Sequence, residues 1–541
     1  MGNRSLYSLA LGIMSFAFIL LPTHAAERIT LTYGIWGRSL AISDLDAFAQ
    51  DGALEGSVGQ FLSRLSPEQQ AQIREVLQAR YDVDPVMVSR FSYTASGEQL
   101  LREIGELVTP PSGQNGWYGL RAALILAASD PDGLSILNFL RQYPTDIQID
   151  SRQALRQVEL FSTLVDETEA WIAELEKQTE AIASRDVVTD PDPLADLRQL
   201  GRVDASVQTL TLYDATRDRT LVTDLYRPSS SRLESEKIPL IVVSNGLGAR
   251  RDRFDDLANY LASYGFAVAI PDHPGSDRQR LLDFYNGLQR ENFEANEFID
   301  RPLDISFLLD ELEKRNANEF DASLDLQRVG LFGYSFGGTT ALSLAGAEID
   351  LNHLERDCET QPATINISLL YQCRALSASR TSTQLRDERI QAIYVFVPFG
   401  KSLFGPDGMA QVETPIMWEA TNQDILTPLV IEQLPAFRWL TGSDKYLAVA
   451  NGLPHARLTL DVINRLSNQN LVWEDIKPIT QTYHNVLSLI FFKAYIAQED
   501  RYRPYLQASY IQEFANDAYP LSFVRSLPDY SLDELSTPNT D

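Results

Sequence analysis

The residues best equipped for chemistry are Gly333-Tyr334-Ser335-Phe336-Gly337, a G-x-S-x-G pentapeptide. The apolar run Val329-Gly330-Leu331-Phe332 leads into it, and residues 339–345 lead out with helical character. A serine between strand and helix takes a strained turn, which lifts its hydroxyl above the sheet at the positive end of the next helix. Ser335 is therefore a candidate nucleophile for acyl transfer. The same five residues could also be a plain glycine-rich turn with an idle serine.

A serine hydroxyl needs a base. In a strand–elbow–helix architecture the order is serine, acid, histidine, so only His353, His455 and His484 qualify. His353 precedes any strand able to carry the acid. His484 lies in the helical run 479–490, where a packed histidine is the ordinary outcome. His455 ends Asn451-Gly452-Leu453-Pro454-His455, just after the strand expected at 446–450, and is the expected base. The acid is expected at Asp424, in the loop Thr421-Asn422-Gln423-Asp424 that closes the strand at 415–420. There it would accept the second imidazole N–H and fix the tautomer. Asp444 and Asp407 lie at the wrong ends of strands, and Glu419 lies inside one. Any of these carboxylates could be a solvated charge in so acidic a chain. Two backbone N–H groups are expected to form an oxyanion hole: Phe336, after the nucleophile, and Leu247, in the loop Ser244-Asn245-Gly246-Leu247-Gly248. Asn245, Tyr334 and His273 are candidate pocket residues, and His273 can equally be a structural turn residue.

The elements that must hold these groups are legible from residue 204 on. Runs at 207–213 and 220–226 suggest an antiparallel hairpin. The fully apolar run 238–243 reads as a central parallel strand. Strands at 266–270, 329–332, 390–397, 415–420 and 446–450 alternate with helices at 253–264 and 301–315. That alternation predicts an α/β fold with a mostly parallel, doubly wound sheet over residues 204–500. A long insertion at 347–387 reads as a lid or binding segment. It contains both cysteines, Cys358 and Cys373, expected to pair if the chain is exported. Residues 501–541 form a C-terminal extension.

Upstream, residues 26–150 read as mainly helical, with a short strand pair near 29–33 and 38–42. Ser66-Pro67-Glu68-Gln69 is a capping-box start, and Ser43-Asp44 a weaker one. Residues 151–203 read as a long helix over 151–183 followed by a linker broken at Asp190-Pro191-Asp192-Pro193. Residues 1–25 have one basic residue, Arg4, an apolar stretch and a small-residue end at Ala25. They read as a secretory signal peptide, an uncleaved anchor being the alternative. A periplasmic or extracellular location follows from that reading, with no membrane span left after cleavage.

The 541 residues include 46 Lys+Arg and 74 Asp+Glu, a net charge of −28. That charge disfavours binding to nucleic acid or to an anionic membrane surface. Neither a dinucleotide or phosphate loop nor a metal-binding H-E-x-x-H sequence occurs, so no cofactor or metal is expected.

On Ser244–Gly248, the helix that follows it, Pro271-Asp272-His273-Pro274-Gly275, Arg301-Pro302-Leu303-Asp304 and Gly333–Gly338, the chain resembles secreted bacterial α/β-hydrolases related to platelet-activating-factor acetylhydrolases and predicted dienelactone hydrolases. The resemblance spans about 205–500 and implies an α/β-hydrolase fold. Those relatives commonly carry His-Gly where this chain has Asn245-Gly246. True dienelactone hydrolases use a cysteine nucleophile, so Ser335 argues against that substrate. The N-terminal part resembles an uncharacterised helical domain that precedes such hydrolases in some bacteria. The resulting expectation is a serine carboxylic-ester hydrolase acting on a small-molecule or lipid ester. A peptidase or acyltransferase with the same three residues is the alternative enzyme. A non-catalytic binding protein on the same fold is the alternative of another class. Protein partners are not indicated.

Overall fold

A computed structural model describes residues 25–186, 196–229, 237–379, 384–467 and 470–528. The expected signal segment, save Ala25, and the Asp190–Pro193 break lie outside the described residues. The chain divides into two compact units, Met1–Val158 and Glu159–Asp541.

The first unit pairs helices with a four-stranded sheet. Its strands are β1 (Arg28–Tyr33), β2 (Trp36–Ala41), β3 (Val108–Thr109) and β4 (Ile147–Asp150), in the order β2-β1-β4-β3. The expected strand pair is β1 and β2, joined antiparallel, and β4 runs parallel to β1. Phe48, Val58, Trp117, Ala123 and Tyr143 centre its core. Helix Pro67–Gln78 begins with a complete capping box on Ser66 and Gln69. The start expected at Ser43-Asp44 falls differently. Helix Ile42–Asp51 begins earlier, and Asp44 instead accepts bonds from the backbone and side chain of Ser57.

The second unit is built on a nine-stranded sheet. Its strands are β5 (Ala205–Asp214), β6 (Arg219–Pro228), β7 (Ile238–Ser244), β8 (Ala267–Pro271), β9 (Leu324–Tyr334), β10 (Ile390–Phe396), β11 (Ile416–Gln423), β12 (Lys445–Pro454) and β13 (Leu521–Val524). The order is β13-β12-β11-β10-β9-β7-β8-β6-β5. The six strands β7 to β12 run parallel, and β6, β5 and β13 add antiparallel edges. Successive residues of β7 enter opposite cores: Leu240 and Val242 join one, Ile241 and Val243 the other. Because both faces are buried, the strand is apolar throughout, without alternation. Helices Glu297–Glu319 and Phe336–Leu344 cover the first face; Asp255–Ser263 and Trp473–Tyr495 cover the second. The sheet is thus α/β, mostly parallel and doubly wound, as expected.

Within the 347–387 insertion, residues 351–377 are folded, not an open loop. Helices Leu351–Thr360 and Ile367–Gln372 are followed by a 3₁₀ turn at Cys373–Ser377. Cys358 and Cys373 form a disulfide, with Cα atoms 5.9 Å apart. Asn366 and Gln372 donate to the buried Glu432 carboxylate, which also accepts the N–H groups of Gly400 and Lys401. One acid therefore ties the insertion to the rim of the sheet. Replacing both cysteines with serine is expected to lower unfolding stability by about 3 kcal/mol, the chain-entropy value for a loop of this length. Urea unfolding of the two forms checks it, and coincident midpoints would contradict it.

Candidate active site

The site begins where β9 ends. Ser335 has φ 52° and ψ −116°, a conformation side-chain-bearing residues rarely adopt. Such a residue stores about 1–3 kcal/mol of strain and persists only where its surroundings impose it. They do so here. The Ser335 N–H is held by the Phe396 carbonyl on β10, while its own carbonyl accepts from Gly338 and Thr339 in the first turn of the next helix. The flanking glycines are sterically required. A Cβ on Gly333 would lie 2.2 Å from the Gly337 carbonyl oxygen, and one on Gly337 would lie 1.9 Å from that of Ser244. Gly337→Ala must therefore push apart the end of β7 and the elbow helix. Overpacking of this kind costs about 1–3 kcal/mol. We expect a lower melting temperature together with lost turnover, and an active variant of wild-type stability would contradict this packing account.

β11 and β12 carry the other two residues past the carboxyl edge of the sheet. The structure brings the three expected side chains together. His455 Nε2 lies 3.2 Å from Ser335 Oγ, and His455 Nδ1 lies 2.6 Å from Asp424 Oδ2. His455 and Asp424 are each 4% exposed. Since an ionised carboxylate only accepts hydrogen bonds, Nδ1 carries the proton and Nε2 is left to accept from the serine. Burial opposes charge on Asp424. The adjacent His455 and hydrogen bonds from Thr427 outweigh it and hold the carboxyl below its ordinary value. Both Oδ1 contacts are backbone, from the Leu426 and Thr427 N–H groups at 2.8 Å. Thr427 Oγ1 donates to Oδ2 beside the imidazole. Thr427 is not among the candidates read from sequence; its signal is an Asx turn, in which Asp424 accepts from residues two and three positions on.

The rival residues are elsewhere. His484 is buried on helix Trp473–Tyr495, its Nδ1 2.8 Å from Glu419, which also accepts from Tyr394. His353 sits in the insertion, near Asp357 and Arg356. Asp444 pairs with Arg525.

The loop after β7 runs beside Ser335: a Cβ on Gly246 would lie 3.3 Å from Ser335 Cβ. The Gly246 carbonyl accepts from Ala249 and the Gly248 N–H donates to Ser276. Among the described residues no backbone acceptor takes the N–H of Leu247 or of Phe336. The other candidates named from sequence are buried supports. Tyr334 places its ring 5.5 Å from that of His455 and donates its hydroxyl to the His455 carbonyl. Asn245 is 4% exposed. His273, 2% exposed, has Nδ1 at Asp304 and Nε2 at Ser244 Oγ, both at 3.0 Å. Burial, with Arg301 nearby, pushes His273 down to about 4, so it is neutral near pH 7. It acts in the structure as the turn residue that anchors the start of the loop. Phe293, Phe298 and Phe399 pack around Phe336, and Tyr371 of the insertion lies against Phe293 and Phe399. The insertion thus contributes to the apolar wall on one side of the elbow.

Two families match parts of the chain. One, described as "Alpha/beta hydrolase of unknown function (DUF1400)", matches residues 25–150. The other, "Platelet-activating factor acetylhydrolase, isoform II", matches residues 207–298, which span β5 to β8 and the 244–248 loop. No curated protein matches the chain. With the sheet already described, these matches put the chain in the α/β-hydrolase fold class, and the coarse activity they carry is hydrolysis. Ser335, Asp424 and His455 all lie outside the matched segments.

Proposed function

We propose that the chain is an exported serine carboxylic-ester hydrolase that works through an acyl-enzyme on Ser335. The observation that carries the reading is the continuous hydrogen-bonded line from Asp424 through His455 to a strained serine. His455 Nε2 takes the Ser335 proton as Oγ attacks the ester carbonyl, then returns it to the leaving alcohol. Asp424 keeps the imidazole in the accepting tautomer and stabilises the imidazolium that forms. The N–H groups of Leu247 and Phe336 receive the developing oxyanion. Water, deprotonated by His455, then releases the acid. The partial match to a platelet-activating-factor acetylhydrolase family favours a short-acyl or lipid ester over a peptide.

For location, support comes from a disulfide, which persists in oxidising compartments. Among the described residues no helix is long and apolar enough to cross a membrane. The test of substrate class is turnover of p-nitrophenyl esters of graded acyl length beside peptide amides and acyl acceptors. Hydrolysis confined to esters, fastest at short acyl length, is expected. Amide cleavage at a comparable rate, or transfer in preference to hydrolysis, would overturn the ester assignment.

A further inference from the structure

Arg301, on helix Glu297–Glu319, is 1% exposed, and its guanidinium lies 4.6 Å over the Phe336 ring centroid. A buried arginine ordinarily forks onto a carboxylate. Here the neighbouring carboxylates go to Arg219 instead, which binds Asp304 through Nε and Nη2 at 2.9 and 2.6 Å and Glu297 through Nη1 at 2.9 Å. Arg301 sends Nη2 to the Asn245 carbonyl, and among the described residues its Nε and Nη1 have no hydrogen-bond partner. The one bond it makes is therefore to the loop beside Ser335.

We propose that Arg301 is a positioning residue for the oxyanion hole: its guanidinium fixes the Asn245–Gly246 peptide plane and adds buried positive charge behind both segments that carry the expected donors. A trans peptide is planar, so a carbonyl drawn toward Arg301 turns the Gly246 N–H the opposite way. The next plane is set by the Gly246 carbonyl accepting from Ala249, which in turn orients the Leu247 N–H. His273 fixes the same loop one residue earlier, through Ser244 Oγ. Phe336, whose ring meets the guanidinium, supplies the other N–H. In a dry site, a fixed positive charge favours an oxyanion far more than it favours a neutral carbonyl. The role rests on the esterase reading above.

The test compares wild type, Arg301→Lys and Arg301→Met, with kcat and KM for a short p-nitrophenyl ester expressed per site titrated by a fluorophosphonate. Inhibition by a trifluoromethyl ketone, which forms a tetrahedral oxyanion on the serine, is measured alongside. Arg301→Met is expected to lose roughly 100-fold in kcat, the range seen when an oxyanion donor is removed, with KM within about threefold. Ketone affinity should fall in parallel with kcat/KM. Arg301→Lys keeps the charge and should retain part of both; it is read alone if the methionine variant does not fold. A folded variant with wild-type kcat per titrated site, or with unchanged ketone affinity, overturns the Arg301 role alone. A wild type that neither hydrolyses esters nor takes the fluorophosphonate overturns the esterase reading and this role with it.

Discussion

Replacing Ser335 with alanine is expected to reduce ester hydrolysis by on the order of 10⁶-fold, the loss typical of removing a nucleophile that acts as a unit with its base. The fold should persist, because the side chain contributes little packing and the backbone bonds to Phe396, Gly338 and Thr339 remain. Ser335→Gly makes the account sharper. Glycine accepts φ 52° without strain, so this variant should be as inactive as alanine yet more stable than wild type, by up to the 1–3 kcal/mol stored at such a residue. Thermal unfolding and a p-nitrophenyl ester assay together check it. Residual turnover near wild type in either variant would remove Ser335 from the chemistry.

The second large effect concerns Asp424. Asp424→Asn is expected to lower kcat by about 10⁴, with KM little changed. The backbone bonds from Leu426 and Thr427 to Oδ1 hold the amide so that its NH₂ faces His455. The imidazole then carries its proton on Nε2 and has no lone pair for the serine. His455→Ala should cost at least as much. The two losses should not add in the double variant, because the residues act as one unit. Asp424 also links stability to pH. Its folded carboxyl titrates below the ordinary 3.8, so its contribution is present above about pH 4 and is lost as pH falls through the lower folded value. The asparagine variant should therefore be less sensitive to acid below pH 4. Wild-type kcat in Asp424→Asn would contradict the assigned tautomer.

The strand–elbow–helix segment was legible because its signals are local: an uninterrupted apolar run, two glycines and a helical run. His455 and Asp424 could be placed because each follows a strand by a few residues, on the edge where loops converge. The features without a local signal depend on long-range pairing. Helix Glu297–Glu319 begins four residues before the start expected at 301: Glu297 and Asp300 look like surface charges, and a proline at 302 suits the first turn of a helix. Tertiary contact reverses that reading: Glu297 and Asp304 are fully buried against Arg219, on a strand some 80 residues earlier. In the sequence Arg301 stands out only as part of a family-like stretch, since its partner is a carbonyl 56 residues away. Strand β13 has four residues and, among the described residues, pairs only with β12, and β3 has two. Segments that short show no periodicity from which to infer a strand.

The central claim is that His455, held by Asp424, activates Ser335, and fluorophosphonate labelling followed by peptide mass spectrometry tests it most directly. The account predicts one covalent adduct, on Ser335, formed rapidly by wild type and slowed by orders of magnitude in His455→Ala. An unlabelled folded wild type, an adduct on another residue, or labelling indifferent to the loss of His455 would contradict it.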